Sequence, residues 1–106
     1  MLVVLRLNMK KYFSFISSKH KPDRQVELIK SEINKYIARE RRKELPENIG
    51  FWDFDCKCGL DEKSATALHV STIRKTVDQI FESKAESVYV EILVKPGSQI
   101  KKQSEK

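Results

Sequence analysis

One short segment, residues 51–59, constrains the fold of this chain more than any other part of the sequence. It reads Phe-Trp-Asp-Phe-Asp-Cys-Lys-Cys-Gly and contains the only tryptophan and both cysteines of the chain. Apolar and charged residues alternate, so Trp52, Phe54, Cys56 and Cys58 share one side of a β-strand. This pattern predicts a strand with one buried face, which other elements must cover.

Two different periodicities precede this strand. Residues 11–17 alternate as well and predict a first strand with Phe13 and Phe15 on one face. From residue 22 to about residue 43, apolar side chains recur at steps of three and four, which predicts one long amphipathic helix. The apolar stripe of this helix consists of Val26, Ile29, Ile33, Tyr36 and Ile37.

The second half of the chain predicts a short hairpin arm, a helix and a last strand. Residues 66–70 form the arm, although a helix that begins near Glu62 is the alternative. Ser71 or Thr72 is the expected cap of the second helix, because hydroxyl side chains favour that position. Residues 87–95 alternate strictly and predict the last strand, which ends at a Pro-Gly pair.

The order strand, helix, strand, strand, helix, strand predicts an α+β fold. We expect a ferredoxin-like βαββαβ two-layer sandwich, in which two βαβ units lie side by side. Its four-stranded antiparallel sheet has both helices on one face. A chain of 106 residues has room for one such domain, which we place at residues 10–97.

The two ends of the chain are expected to lie outside this domain. Residues 1–9 are interpreted as an N-terminal extension from an upstream start, because Met-Lys-Lys at residues 9–11 is typical of a natural start. A longer first strand is the alternative, since Val3, Leu5 and Leu7 keep the parity of Phe13. Residues 98–106 are polar and basic and predict a flexible tail.

The cysteines and the apolar segments bear on location. Two cysteines at i and i+2 of a strand lie about 7 Å apart, too far to bridge each other readily, so we expect reduced thiols. The apolar start of the chain is too short to span a bilayer or to form an export signal. These features predict a cytoplasmic protein with no membrane association.

Charge is unevenly distributed along the chain, whose net charge is +6. Residues 19–43 carry nine basic and four acidic side chains, a net charge of +5, whereas residues 44–94 carry five basic and ten acidic ones, a net charge of −5. The basic potential therefore belongs to the first helix, its flanking loop and the termini. This segregation favours a polyanionic partner such as RNA or DNA.

The end of the first helix supplies the candidate contacts. These are Lys35, Arg39, Arg41, Arg42 and Lys43. Such side chains donate charge-assisted hydrogen bonds to phosphate oxygens. The alternative interpretation is a solvated helix end, where cations are favoured by the helix dipole whether or not a ligand exists.

The sheet face away from the helices is a second candidate surface. We expect it to carry Tyr12, Phe51 and Tyr89, a set that suits a homodimer interface or a protein partner. Aromatic residues on an open sheet also stack on bases in RNA-recognition domains. Here that use is disfavoured, because the expected neighbours are acidic and no glycine–aromatic motif of that class is present.

Acidic and metal-ligating residues give weaker candidates. Asp53, Asp55 and Glu91 are weak candidates for a divalent cation, and solvated carboxylates or salt bridges to lysine are the expected alternative. The Cys-x-Cys spacing does not match a zinc knuckle. Buried thiols beside aromatic residues are poor nucleophiles. We therefore expect no metal, no cofactor and no catalytic residue, and enzymatic activity is left open but disfavoured.

Four stretches of the chain resemble a known family. They are Lys-Tyr-Ile-Ala-Arg-Glu-Arg-Arg-Lys at residues 35–43, Leu-Pro-Glu at 45–47, Phe-Trp-Asp-Phe-Asp-Cys at 51–56 and Tyr-Val-Glu-Ile-Leu-Val-Lys-Pro-Gly at 89–97. Together they resemble a small uncharacterised bacterial family, a domain of unknown function. Cys58 stands where an aromatic or other apolar residue is expected from the resemblance, which argues against a paired-cysteine function.

The resemblance implies one domain from about residue 10 to residue 97 and brings no known activity, cofactor or catalytic residue. The leading prediction is therefore a small non-enzymatic binding domain that holds nucleic acid or another polyanion on its basic first helix. The alternative is a protein-interaction or homodimerisation module that uses the open sheet face.

Overall fold

A computed structural model describes residues 8–45 and 50–97 of the chain. It contains four strands, two α-helices and one 3₁₀ turn among these residues. In chain order they are β1 (Met9–Ser14), α1 (Pro22–Arg41), β2 (Trp52–Gly59), β3 (Thr66–Leu68), the 3₁₀ turn (Val70–Thr72), α2 (Ile73–Glu82) and β4 (Ser87–Pro96).

The predicted ends of the chain lie mostly outside the described residues. This applies to residues 1–7 of the predicted extension, and with them to most of the alternative longer strand. It applies equally to the predicted tail at residues 98–106. Strand β1 begins at Met9, two residues before the predicted start of the first strand.

The four strands form one antiparallel sheet in the order β1-β4-β2-β3. This confirms the α+β class and the four-stranded antiparallel sheet. Each βαβ unit has one strand of the other unit between its own two strands, because β4 lies between β1 and β2, and β2 lies between β3 and β4. This strand order is compatible with the predicted two-layer sandwich.

Both helices cover the same face of the sheet. Apolar side chains of α1, α2 and all three long strands form one buried cluster. Helix α1 contributes its predicted stripe, and α2 contributes Ile73 and Val77, which are both 0% exposed. The sheet contributes Phe13, Phe54, Cys56, Cys58, Val88, Val90, Ile92 and Val94. Burial of this apolar surface is the main source of stability.

The start of α2 differs from the prediction in its capping. Thr72 is the residue before the helix, but its hydroxyl donates to the carbonyl oxygen of His69 at 2.8 Å and caps nothing. His69 instead accepts a hydrogen bond from the Ser71 backbone N–H on Nδ1, at 3.1 Å. A 3₁₀ turn thus links β3 to α2, where hydroxyl capping was expected.

The loop from residue 60 to residue 65 folds back onto the sheet. A methyl group placed on Gly59 would lie 2.6 Å from the Cα atom of Ala65, so only glycine allows this close approach. The Tyr12 hydroxyl accepts a hydrogen bond from the Glu62 backbone N–H at 2.9 Å. The loop therefore closes one end of the sheet face that the helices leave uncovered.

The described part of the chain contains no helix that could span a membrane. Neither α1 nor α2 is long and apolar enough to cross a bilayer.

Candidate functional site

The C-terminal half of α1 carries a basic stripe on its outer side, formed by Lys35, Arg39 and Arg42. These residues follow one another at i, i+4 and i+7, so they share one face of the helix. All three are exposed, whereas Ile33 and Ile37 on the inner side are buried. The apolar stripe that drives α1 onto the sheet therefore also directs these three cations outward.

The acidic residues of α1 are largely neutralised away from the basic stripe. Glu32 forms an ion pair with Lys11 of β1 at 2.8 Å, and Glu27 forms one with Lys30 at 3.0 Å. Within residues 8–45 and 50–97, Lys35, Arg39 and Arg42 form no side-chain hydrogen bond and no ion pair. The positive charge of the stripe is thus uncompensated by the described part of the protein.

The other two predicted contacts, Arg41 and Lys43, are held differently. The Lys43 ammonium contacts the buried carboxylate of Glu40 at 2.8 Å. The Arg41 guanidinium lies 5.4 Å from the ring centre of Phe54, in cation–π geometry against the sheet. The structure therefore brings three of the five predicted residues together on the outer face of α1 and directs the remaining two elsewhere.

The end of α1 is fastened to the sheet by Trp52. Its indole Nε1 donates to the carbonyl oxygen of Lys43 at 2.9 Å. Lys43 lies two residues after the end of α1, so this hydrogen bond ties the segment that leaves the helix to β2. The tryptophan of the β2 segment thus orients the basic end of the helix.

The three aromatic residues predicted for the open sheet face do not form one patch. Tyr12 is half exposed and packs against Tyr89 with tilted rings, 4.9 Å apart between ring centres, but Tyr89 itself is only 3% exposed. Phe51 packs against Gly97. Tyr89 pairs across the sheet with Gly59, which follows Phe51 by eight residues. This separation corresponds to roughly 26 Å along the strand. An interface role for the open face stays a prediction.

Tyr89 is buried beside a carboxylate. Its hydroxyl donates to Glu91 Oε1 at 2.8 Å, and Glu91 is itself largely buried. Burial, the hydrogen bond and the negative charge of Glu91 raise the pKa of Tyr89 to about 12. All three effects favour the neutral phenol over the phenolate.

This shift predicts a loss of stability in strong alkali. An unfolded tyrosine has a pKa of about 10, so the contribution of Tyr89 is fully present below pH ~10. It is lost as the pH rises to about 12, where the folded phenol also ionises. Phenolate absorbance of the native protein should show one tyrosine ionising near that pH. Glu91→Gln should lower the pKa of this tyrosine, and an unchanged titration would contradict the assigned cause.

The weak metal candidates are engaged in other contacts. Asp55 pairs with Lys95 at 3.0 Å, and Asp53 Oδ1 accepts the Phe54 backbone N–H at 2.8 Å. Glu91 accepts the Tyr89 hydroxyl. Among the residues that the structure describes, no three His, Cys, Asp or Glu side chains are grouped so as to hold a metal ion.

Both cysteines are buried free thiols on the core side of β2. Burial raises the pKa of Cys56 and of Cys58 to about 11, with nearby Asp55 and Asp53 adding to the shift at Cys56. Neither thiol is therefore ionised to a useful extent near neutral pH. This arrangement fits core residues, not nucleophiles.

The comparison with known proteins identifies the family. A family model described as a family of unknown function, DUF6172, matches residues 9–103. The chain belongs to this family. No curated protein and no solved structure matches the chain. The function must therefore be argued from the surface of the domain itself.

Sequence reasoning missed one basic residue that lies near the helix end. Arg74 is the second residue of α2 and lines the same cleft as Arg41. A signal for it was available, since the first turn of α2 carries Arg74 and Lys75 with no acidic residue. Cations are disfavoured at that end of a helix, so their presence points to a role other than helix stability.

Proposed function

We propose that this domain binds the phosphate backbone of nucleic acid through the basic stripe of α1. The observation that carries the proposal is that Lys35, Arg39 and Arg42 are exposed on one helix face. They have no ion-pair or hydrogen-bond partner among residues 8–45 and 50–97. Solvated cations without partners remain available to phosphate oxygens, with which they form charge-assisted hydrogen bonds.

The spacing of the stripe suits a repeating polyanion. Its three residues extend over about 10 Å of the helix axis. On one strand of a duplex, this length equals the axial rise of about three phosphates. Lys43 is paired with Glu40 and Arg41 is directed against Phe54, so the three residues of the stripe carry the proposed contacts. Phosphate contacts position the nucleic-acid backbone but do not read the base sequence, so we expect binding with little sequence preference.

A triple variant tests the stripe. Lys35→Gln, Arg39→Gln and Arg42→Gln together reduce the net charge from +6 to +3. We expect the affinity for a single-stranded RNA and for a duplex DNA to fall by roughly tenfold or more at low salt, because the phosphate contacts supply most of non-specific binding. Fluorescence anisotropy with a labelled oligonucleotide measures the change.

The matched control removes the same charge from another surface. Lys10, Lys57 and Lys63 are exposed and lie on β1, β2 and the loop after β2. Changing all three to glutamine also gives a net charge of +3. We expect this control to retain most of the affinity. Equal losses in both variants would assign binding to net charge alone and would contradict a role for the stripe.

A further inference from the structure

A small polar cleft separates the end of α1 from the start of α2. It has a volume of about 270 Å³ and is lined by Asn34, Ile37, Arg41, His69, Val70, Ser71 and Arg74. Its polar side chains include two guanidinium groups, an imidazole, a hydroxyl and an amide. No carboxylate is among the lining residues. The chemistry of the cleft is therefore that of an anion site.

The two arginines of the cleft come from different helices. Arg41 is the last residue of α1 and Arg74 is the second residue of α2. Within the described ranges, neither guanidinium has an ion pair or a hydrogen bond. Packing of Arg41 on the Phe54 ring, 5.4 Å from its centre, orients this side chain before any ligand arrives. An anion held between the two guanidinium groups would be attracted by both positive charges.

The N-terminus of α2 adds to the same potential. The 3₁₀ turn and the first turn of α2 supply Val70, Ser71 and Arg74 to the cleft wall. The N–H groups of Ser71, Thr72 and Ile73 are bonded within the turn to His69 and Val70, so it is the positive end of the helix dipole that favours an anion there. Since α2 has no acidic residue in its first turn, its own sequence leaves this potential uncompensated.

His69 presents a donor beside the cleft. Its Nδ1 accepts the Ser71 backbone N–H at 3.1 Å and lies 2.8 Å from the Ser71 hydroxyl oxygen. In the neutral ring, an accepting Nδ1 requires the proton on Nε2, which is then a donor. The hydrogen bond from the Ser71 N–H to Nδ1 therefore places the ring proton of neutral His69 on Nε2. In this tautomer Nε2 can donate to an anionic ligand.

We propose that this cleft binds the phosphate group of a phosphate monoester, with Arg41 and Arg74 as its principal ligands. Planar guanidinium groups match phosphate oxygens in two-pronged hydrogen bonds. The volume lies just below the range of about 300–1,000 Å³ that is typical of small-molecule pockets, which suits a small anionic group. The site does not depend on the outer stripe of α1 and does not rest on the proposed function.

Calorimetric titration of the full chain with inorganic phosphate tests the site. The double variant Arg41→Gln/Arg74→Gln should weaken binding by at least tenfold, and Arg74→Lys should weaken it less, because the charge is kept and the forked geometry is lost. Lys10→Gln/Lys63→Gln is the control, since both lysines are exposed outside the cleft and the stripe and the variant has the same net charge of +4 from +6. It should bind phosphate as the wild type does, and circular dichroism verifies that each variant is folded.

Two results would overturn this proposal. One is the absence of saturable phosphate binding by the wild type. The other is equal binding by the wild type and Arg41→Gln/Arg74→Gln. Neither result bears on the outer stripe, whose variant keeps both cleft arginines.

The source of the phosphate is distinguished by two further probes. Adenosine monophosphate stands for a free ester, and a single-stranded oligonucleotide with and without a 5′-phosphate stands for a strand end. A preference for the phosphorylated oligonucleotide that is lost in Arg41→Gln/Arg74→Gln assigns the cleft to strand ends. Binding of adenosine monophosphate without such a preference assigns it to free esters, and binding of neither probe overturns a monoester ligand.

Discussion

Replacing Ile92 with alanine is expected to lower the free energy of unfolding by about 2–5 kcal/mol. Ile92 is 0% exposed and lies in the central strand β4, where it pairs with Met9 of β1 and Cys56 of β2. Its side chain belongs to the cluster that both helices cover. Loss of its outer carbons removes apolar burial and leaves a cavity at the centre of the sandwich.

Urea denaturation followed by tryptophan fluorescence measures this change. The control is Leu60→Ala, because Leu60 is 55% exposed and its truncation should shift stability by no more than about 0.5 kcal/mol. Small domains have a total stability of about 5–15 kcal/mol, so the Ile92 variant should have a clearly lower urea midpoint. Similar midpoints for the two variants would contradict the assignment of β4 to the centre of the core.

Gly59→Ala is the second change with a large expected effect. The added methyl group would lie 2.6 Å from Ala65 Cα and 3.0 Å from its backbone nitrogen. Backbone atoms cannot swing aside, so the whole turn from residue 60 to residue 65 must shift. We expect a cost of about 1–3 kcal/mol, in the range of overpacked sites. The shift should also loosen the cover over Tyr89.

Gly97→Ala is the matched control for this prediction. A methyl group there would overlap the Phe51 ring, which is nominally a closer contact. Phe51 is 47% exposed, however, so its ring can rotate away at low cost. Urea denaturation of both variants should show the larger loss for Gly59→Ala. A larger loss for Gly97→Ala would contradict the distinction between backbone and side-chain contacts.

The elements of the fold were predictable because each has a distinct apolar period. Alternation in β2 and β4 and the three-to-four-residue steps of α1 identified the buried faces correctly, as Phe54, Val90 and Ile33 show. The strand order was not predictable in the same way. It depends on which strands pair across the sheet, and β4, the last of the described strands, lies inside the sheet between β1 and β2.

The candidate site was predictable only where helical geometry alone decides it. The spacing of Lys35, Arg39 and Arg42 already implies a common helix face. The pairing of Lys43 with Glu40 and the approach of Arg74 to Arg41 depend on how the ends of the two helices meet. No periodicity in the sequence carries this information. The burial of Tyr89 likewise depends on a loop that returns over the sheet.

The central claim is that the outer face of α1 binds nucleic-acid phosphates, and the salt dependence of binding tests it most directly. Fluorescence anisotropy titrations of the wild type with duplex DNA and single-stranded RNA should be repeated across a series of salt concentrations. Three phosphate contacts predict slopes of log affinity against log salt of about −3 for the duplex and about −2 for the single strand. The Lys35→Gln/Arg39→Gln/Arg42→Gln variant should flatten both slopes towards zero. Absence of binding at low salt, or equal slopes for wild type and variant, would contradict the claim.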